Sequence, residues 1–172
     1  MILLSLLQGT KGIKGDSEIE KHVEWITCSG MSFDMKREEA SEPSTKGGGK
    51  DVFAGLADVG EIVVTKNCDC ATPDLMEYAA SGAKVVNTGK IHFLISGLDE
   101  AADDIFLEVI VDSPIIASWD FNASDEDSRP TETIRIRYEK VSVKYWSFGD
   151  KASGPRGWWP KKNEKWTDAP HE

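Results

Sequence analysis

Apolar and polar residues alternate along much of this chain, and this alternation is the feature that most restricts its fold. The clearest case spans residues 105–121, where the odd-numbered positions are mostly apolar and the later even-numbered positions Ser118 and Asp120 are polar. A period of two is typical of a half-buried β-strand, because successive side chains point to opposite faces of a sheet. Pro114 interrupts the stretch and predicts a kink or a sheet edge there.

Several other segments are predicted to be strands on the same grounds. They are the apolar run at residues 2–8, the sequence EIVVTK at residues 61–66, and KIHFLIS, in which Ile91, Phe93 and Ile95 are predicted to be buried. Between residues 22 and 35 the apolar positions are odd-numbered and predict a half-buried strand pair or one long strand. These apolar positions are Val23, Trp25, Met31 and Phe33.

A change of phase marks residues 131–146. Ile134 and Ile136 occupy even positions, whereas Val141 and Val143 occupy odd ones. Because a slip of one residue moves every following side chain to the other face, this change predicts a β-bulge near Glu139 and Lys140.

One short helix is predicted at residues 72–82. Thr72 is the predicted N-cap, Pro73 suits the first helical position, and Gly82 can end the helix in a left-handed conformation. The predicted apolar stripe consists of Leu75, Met76, Ala79 and Ala80. A polar stretch rich in Gly, Pro and Ser at residues 36–50 predicts a mobile, extended loop. The predicted fold is therefore mainly β, a closed antiparallel β-barrel with one short α-helix and an extended loop.

Composition narrows the class of protein. The chain has 172 residues and a net charge of −10, which argues against a nucleic-acid partner. Its length fits a single domain, predicted at residues 1–166 with a C-terminal tail at 167–172. Apolar runs are too short for membrane insertion, and the N-terminus lacks the features of a signal peptide. Three cysteines form no disulfide framework, which fits a reducing cytoplasm.

The residue patterns of this sequence do not indicate a catalytic or metal-binding site. The sequence KGIKGDS at residues 11–17 matches neither phosphate-binding fingerprint, so a turn with a glycine at positive φ is preferred. Cys28, Cys68 and Cys70 could bind a metal in principle, but free thiols are favoured over zinc ligation at this spacing. Acidic residues cluster at 99–108 and 120–127, where a solvated surface is the usual meaning. No enzyme activity, metal or cofactor is predicted, and these residues alone indicate a binding or structural module.

The order of several motifs carries a resemblance. They are GIKGDS, KHVEWITCSGMSF, TKNCDCATPDLMEYAASG, SRPTETIRIRYEKVSVKY and GPRGWWPKKN. Together, from about Leu4 to Trp166, they resemble the haemolysin-coregulated protein (Hcp) family, whose members form the inner tube of the bacterial type VI secretion system.

The resemblance implies both an assembly and a route out of the cell. Members form homohexameric rings that stack into a tube, and sheath contraction expels the tube with its spike. The implied partners are therefore stacked rings, a spike protein of the VgrG type, a contractile sheath and small effector proteins in the lumen. The protein would be cytoplasmic before firing and then secreted without a signal peptide. The alternative is a secreted effector or adhesin that keeps the fold but does not polymerise.

The resemblance also implies roles for particular residues. Ser32 and Asp34 would face the lumen, while Trp25, Met31 and Phe33 would face the core. A loop reaching the adjacent ring would carry Lys36, Arg37, Glu38, Lys46 and Lys50. Charge complementarity between stacked rings would involve Asp103, Asp104, Lys161 and Lys162.

Overall fold

The computed structural model describes residues 1–39, 54–95, 105–125, 129–146, 156–159 and 163–167. In these ranges the strands are β1 (Ile2–Gln8), β2 (Lys11–Ile13), β3 (Ile26–Cys28), β4 (Gly30–Ser32), β5 (Met35–Glu39), β6 (Ala54–Val59), β7 (Ile62–Asn67), β8 (Thr88–Leu94), β9 (Ile105–Asp112), β10 (Ile115–Asn122), β11 (Thr131–Arg137), β12 (Lys140–Tyr145), β13 (Arg156–Trp159) and β14 (Asn163–Thr167). The helix of the described residues is α1 (Thr72–Ser81).

The strands form three antiparallel sheets. A large sheet has the order β14-β13-β12-β9-β8-β1-β2, with β3 also paired to β1. A small sheet has the order β10-β11-β7-β4, and β5 pairs with β6 as a separate hairpin. The mainly β fold with one helix is thus confirmed for the described residues. The closed barrel is not confirmed, because the pairings of these residues never return to their starting strand.

The alternating stretch at residues 105–121 is two strands in two different sheets. β9 lies in the large sheet and β10 in the small one. The chain passes between them at Ser113, which has a φ of 52°, and at the buried Pro114. The predicted kink is therefore correct. The odd-numbered side chains of residues 105–121 do not all point inward. A register shift between Ile116 and Ser118 places the even-numbered Ile116 and the odd-numbered Trp119 on the same, core-facing side of the sheet.

The phase change at residues 131–146 has the same origin. β11 ends at Arg137 in the small sheet, and β12 begins at Lys140 in the large sheet. The predicted β-bulge near Glu139 and Lys140 is wrong, because these residues lie where the chain leaves one sheet and enters the other. Each strand buries its own side of a shared core, so a change of sheet alters the phase as a bulge would.

The segment at residues 22–35 also departs from its predicted phase. Ile26 and Cys28 of β3 are buried, whereas Val23 is 59% exposed. Met31 and Phe33 pack against the core as predicted, but Trp25 does not, because its ring lies against His92 on the other face of the large sheet. β3 belongs to the large sheet and β4 to the small one, so here again the phase changes with the sheet.

Part of the predicted loop is regular structure. Lys36 to Glu39 belong to strand β5, which pairs with β6. Residues 40–53 lie outside the described part of the chain, so the rest of that prediction stays untested.

The helix ends as predicted and begins differently. The N–H of Gly82 donates to the carbonyl of Tyr78 at 3.0 Å, with Gly82 at φ 63°. Ala71 is the N-cap and provides no side-chain bond, so the predicted Thr72 cap is wrong. Leu75 and Ala79 face the core, whereas Met76 is 56% exposed and Ala80 is exposed.

In the stretch KGIKGDS the predicted glycine at positive φ is present, but the predicted turn is not. Gly12 lies inside β2 with a φ of 109°, and a side chain there would meet the carbonyl oxygen of Leu6. A Cβ at Gly15 would collide with the backbone of Trp25 and Ile26. Close approach of two backbones therefore requires both glycines.

Candidate functional site: the polar face and open edges of the small sheet

One face of the small sheet is polar, and the strand register defines it. One cross-strand row consists of Ser32, Val63, Arg135 and Ser118. A second row consists of Gly30, Thr65, Thr133 and Asp120. A third row joins Asn67, Thr131 and Asn122. We call these rows the polar face. Only Val63 is a large apolar residue among them, so the surface suits contact with water.

The opposite face of the same sheet is apolar and covers the core. Met31, Val64, Ile134 and Trp119 form a row directly behind the polar face. Val64 and Ile134 are fully buried, as are Ile62 and Ile136 in the next row. This division gives the sheet a fixed orientation, with one side held against the large sheet and α1 and the other free.

A buried charged cluster fixes the end of this sheet near α1. Lys66 and Glu132 are opposite each other on β7 and β11, and both side chains are fully buried. The Lys66 Nζ lies 2.9 Å from the Glu132 carboxylate and 2.7 Å from that of Asp69. The hydroxyl of Thr72 donates to Glu132 at 2.5 Å. Every charge of the cluster thus has a partner, and the start of α1 is bonded to the sheet.

Both edges of the small sheet are open within the described residues. β10 pairs with β11 on one side only, apart from a bridge between Lys84 and Ile115 at its first residue. β4 pairs with β7 on one side only. On β10, Phe121 is 47% exposed, and the centroid of its ring lies 5.7 Å from that of the Trp119 ring. An open strand with exposed aromatic area is suited to pairing with another chain.

The two residues predicted to face a lumen lie in different settings. Ser32 is exposed at the β4 end of the polar face. Asp34 is also exposed but lies beyond β4, where its carboxylate binds Lys36 at 2.9 Å. The charge and hydrogen bond of Asp34 raise the pKa of Lys36. The structure therefore brings Asp34 together with Lys36, not with Ser32.

The remaining predicted contact residues are only partly described. Arg37 and Glu38 lie in strand β5. The others fall outside the described part of the chain, and their roles stay predictions. They are Lys46, Lys50, Asp103, Asp104, Lys161 and Lys162.

The three thiols do not form a common site in the structure. Cys28 is buried, Cys68 half-buried and Cys70 exposed, and all are free. Burial raises the pKa of Cys28 to about 12, and burial together with the Asp16 carboxylate raises that of Cys70 to about 11. Within the described ranges no group of three His, Cys, Asp or Glu side chains is placed to hold a metal ion.

A second buried polar cluster was missed by the sequence analysis. His22 and His92 are adjacent in the structure, and His92 also binds Glu108, which the sequence had placed in a solvated acidic cluster. The signal in the sequence was small. His92 interrupts the apolar run IHFLI at a position facing away from the core, and nothing local pairs it with His22.

The described part of the chain contains no helix with the length and hydrophobicity needed to cross a bilayer.

This fold is found in solved structures of type VI secretion proteins. A structure described as that of a type six secretion system protein superposes with a TM-score of 0.79 and 24% identity, covering 96% of this chain and 98% of its own. Hcp1 from Salmonella typhimurium gives 0.69 and 21%, covering 94% and 95%. A type VI secretion system effector from Yersinia pestis gives 0.71 and 18%, covering 92% and 99%.

The family follows from the sequence itself. The model of the family described as "Type VI secretion system effector, Hcp" matches residues 7–145. The chain therefore belongs to the Hcp family of the type VI secretion system. No curated protein sequence matches it.

Proposed function

We propose that this protein is the tube subunit of a type VI secretion system, forming hexameric rings whose lumen is lined by the polar face. The observation that carries the proposal is the small sheet. It has a water-compatible face on one side and open edges at both ends.

Ring formation would join the two open edges. The β10 edge of one subunit would meet the β4 edge of the next, so that the small sheet continues from subunit to subunit. Such a contact is heterologous, and it closes into a ring when the rotation between subunits divides a full turn. Subunits joined in this way keep the polar face on a common side, which becomes the lumen wall.

Stacking and delivery complete the proposed role. The β5–β6 hairpin, which pairs with neither other sheet in the described residues, would contact the adjacent ring with Lys36, Arg37 and Glu38. The tube would rest on a VgrG-type spike inside a contractile sheath and leave the cell with it. Small effectors would travel against the polar face. The role is mechanical, and no catalytic step is assigned to any residue.

The test is the native mass of the purified protein by light scattering, for the wild type and a Phe121→Lys variant. A mass near six chains is expected for the wild type. The variant should run as a monomer with an unchanged circular dichroism spectrum, because the added charge lies on the β10 edge.

Met76→Lys is the matched control, since Met76 is 56% exposed on α1 and not on either open edge. Its mass should equal that of the wild type. A wild-type monomer would instead favour an effector or adhesin that keeps the fold without polymerising. Hexamers of Phe121→Lys would exclude the β10 edge as the contact.

A further inference from the structure

Residues 14–25, here called the docking loop, cover the outer side of the large sheet. Leu3, His92 and Glu108 form one cross-strand row on β1, β8 and β9. The neighbouring Leu4 belongs to the core, so Leu3 faces away from it, yet Leu3 is 0% exposed. Trp25 of the docking loop lies 4.5 Å from the His92 ring, measured between centroids.

A chain of three side chains, two buried histidines and the half-buried Glu108, ties the docking loop to this row. Nε2 of His22 lies 2.8 Å from Nδ1 of His92, and Nε2 of His92 lies 2.7 Å from a carboxylate oxygen of Glu108. His22 is 1% exposed and His92 8%. The Trp25 ring also meets His22 edge-on at 4.7 Å.

The geometry allows only one proton between the two imidazole rings. At 2.8 Å one of the facing nitrogens must donate and the other must accept. When both rings are protonated, each facing nitrogen carries a hydrogen, and the bond cannot form. The docked loop therefore excludes the doubly protonated state, whichever ring holds the first proton.

The groups around His22 and Glu108 also disfavour a docked loop in which both imidazoles are protonated. Burial and the adjacent His92 lower the pKa of His22, Lys21 of the loop adds to this, and the Glu20 backbone opposes it. Burial would raise the pKa of Glu108, but His92 lowers it to a net value below 4.5. Two more lysines, Lys90 of β8 and Lys144 of β12, act on Glu108 in the same direction as His92. The carboxylate thus stays charged through the pH range of the proposed opening.

The docking loop also carries backbone strain. Lys21 and Glu24 have φ values of 65° and 63°, in the left-handed region that non-glycine residues seldom adopt. Internal hydrogen bonds hold this shape, from Gly15 N to Glu24 O at 2.8 Å and from Ser17 N to Trp25 O at 3.0 Å. A strained loop held by a few bonds opens readily once its anchor is lost.

We propose that the docking loop is an acid-opened latch, released from the large sheet when His22 and His92 are both protonated. Release would uncover Leu3 and the Trp25 ring. The inference is independent of the proposed tube function, because it concerns a single chain and neither open edge of the small sheet.

The direction of the pH effect follows from the lowered pKa of His22. In the opened loop His22 regains its ordinary value of 6.5, so the open state binds one more proton than the docked state below that pH. Docking is therefore complete above pH 6.5 and is lost as the pH falls. One extra proton raises the opening equilibrium constant by about tenfold for each pH unit below 6.5, until the docked state itself is protonated.

Amide hydrogen exchange on the full chain from pH 8 to pH 5 tests the latch, with rates corrected for the intrinsic effect of pH. The probes are the bonded amides of Gly15, Ser17 and Glu24, whose acceptors lie within the docking loop, so they exchange when the strained loop unfolds on release from the sheet. Their protection should fall by up to about tenfold per pH unit below 6.5. Amides of β11 serve as an internal reference and should keep their protection, since only the loop opens.

Two variants and a control separate the latch from general acid sensitivity. His22→Gln should remove the pH dependence of the loop amides. Should that variant fail to fold, Glu108→Gln provides a second test. It should move the opening to lower pH, because the two imidazoles must then become positively charged without a neighbouring carboxylate. His171→Gln changes the third histidine and should behave like the wild type.

Constant protection of the wild-type loop down to pH 5 would overturn the proposal. So would equal acid opening in His22→Gln, or a shift to higher pH in Glu108→Gln.

Discussion

At the scale of single residues, the buried cluster of Lys66, Asp69 and Glu132 decides how the helix sits on the small sheet. Replacing a buried ion pair by apolar residues can be neutral, but removing one partner leaves an uncompensated charge in the core. Two carboxylates depend on the single ammonium group of Lys66 here. Its loss should therefore be costly.

Lys66→Met should lower the free energy of unfolding by about 3–5 kcal/mol, because Glu132 and Asp69 lose their buried counter-charge. Urea denaturation followed by circular dichroism would measure the loss. A second replacement, Glu132→Leu, made in the Lys66→Met background should recover part of it.

Arg137→Ala is the comparison on the same pair of strands. Arg137 binds Glu61 at 2.6 Å, but its side chain is 70% exposed. This change should cost only about 0–1 kcal/mol. Equal losses for Lys66→Met and Arg137→Ala would show that burial does not set the strength of the Lys66 pair.

The sequence shows which polar residues are present, but it does not show which of them bind one another. Thr72 looked like a helix cap, yet its hydroxyl donates to Glu132, which lies 60 positions further along the chain. His22 and His92 are 70 positions apart and looked unrelated in the sequence, yet their rings are in contact in the structure. Local patterns report exposure and propensity, whereas these bonds depend on which strands become neighbours.

At the scale of elements, the glycines of KGIKGDS are required by close backbone packing. Gly15→Ala should lower the free energy of unfolding by about 1–3 kcal/mol, since its Cβ would overlap the backbone of Trp25 and Ile26. Chemical denaturation of the two proteins would show a shifted midpoint with an unchanged slope.

Gly30→Ala is the matched substitution, because the nearest atom to its Cβ would be the Thr65 Cβ at 3.9 Å, an ordinary contact. It should be close to neutral. If Gly30→Ala lowers the free energy of unfolding as much as Gly15→Ala does, the conformational freedom of glycine, and not a steric clash of the new Cβ, determines both effects.

Strand positions were predicted well and strand partners were not. The runs at residues 61–66 and 91–95 fall on β7 and β8 nearly as expected, because alternation is a local property. The phase change at residues 138–140 was visible too, whereas the one after Pro114 was missed, because the odd-numbered positions stay apolar on both sides of it. The cause of the visible change was not apparent, since a bulge and a change of sheet leave the same trace in a sequence.

At the scale of the whole molecule, the proposed stacking of rings depends on opposite charges on opposite faces. Reversing Lys161 and Lys162 to Glu should weaken tube formation and leave rings intact, because the charges would act between rings and not within them. Sedimentation of tubes and light scattering of rings would separate the two steps.

A variant with Lys11 and Lys84 reversed to Glu has the same change in net charge, and both residues are exposed. It should form tubes like the wild type. Tubes that form equally well after reversal of Lys161 and Lys162 would rule out these lysines as stacking contacts.

The chain itself passes twice between the large sheet and the small sheet, and this has a mechanical consequence for the proposed expelled tube. The chain crosses from β9 to β10 and again from β11 to β12, and Glu139 N of the second crossing donates to Asp112 O of the first at 2.9 Å. Force on one layer therefore reaches the other through the backbone as well as through core contacts. Sliding of one sheet over the other would have to stretch two adjacent stretches of backbone, so in the proposed tube the two layers of each subunit would stay together under load.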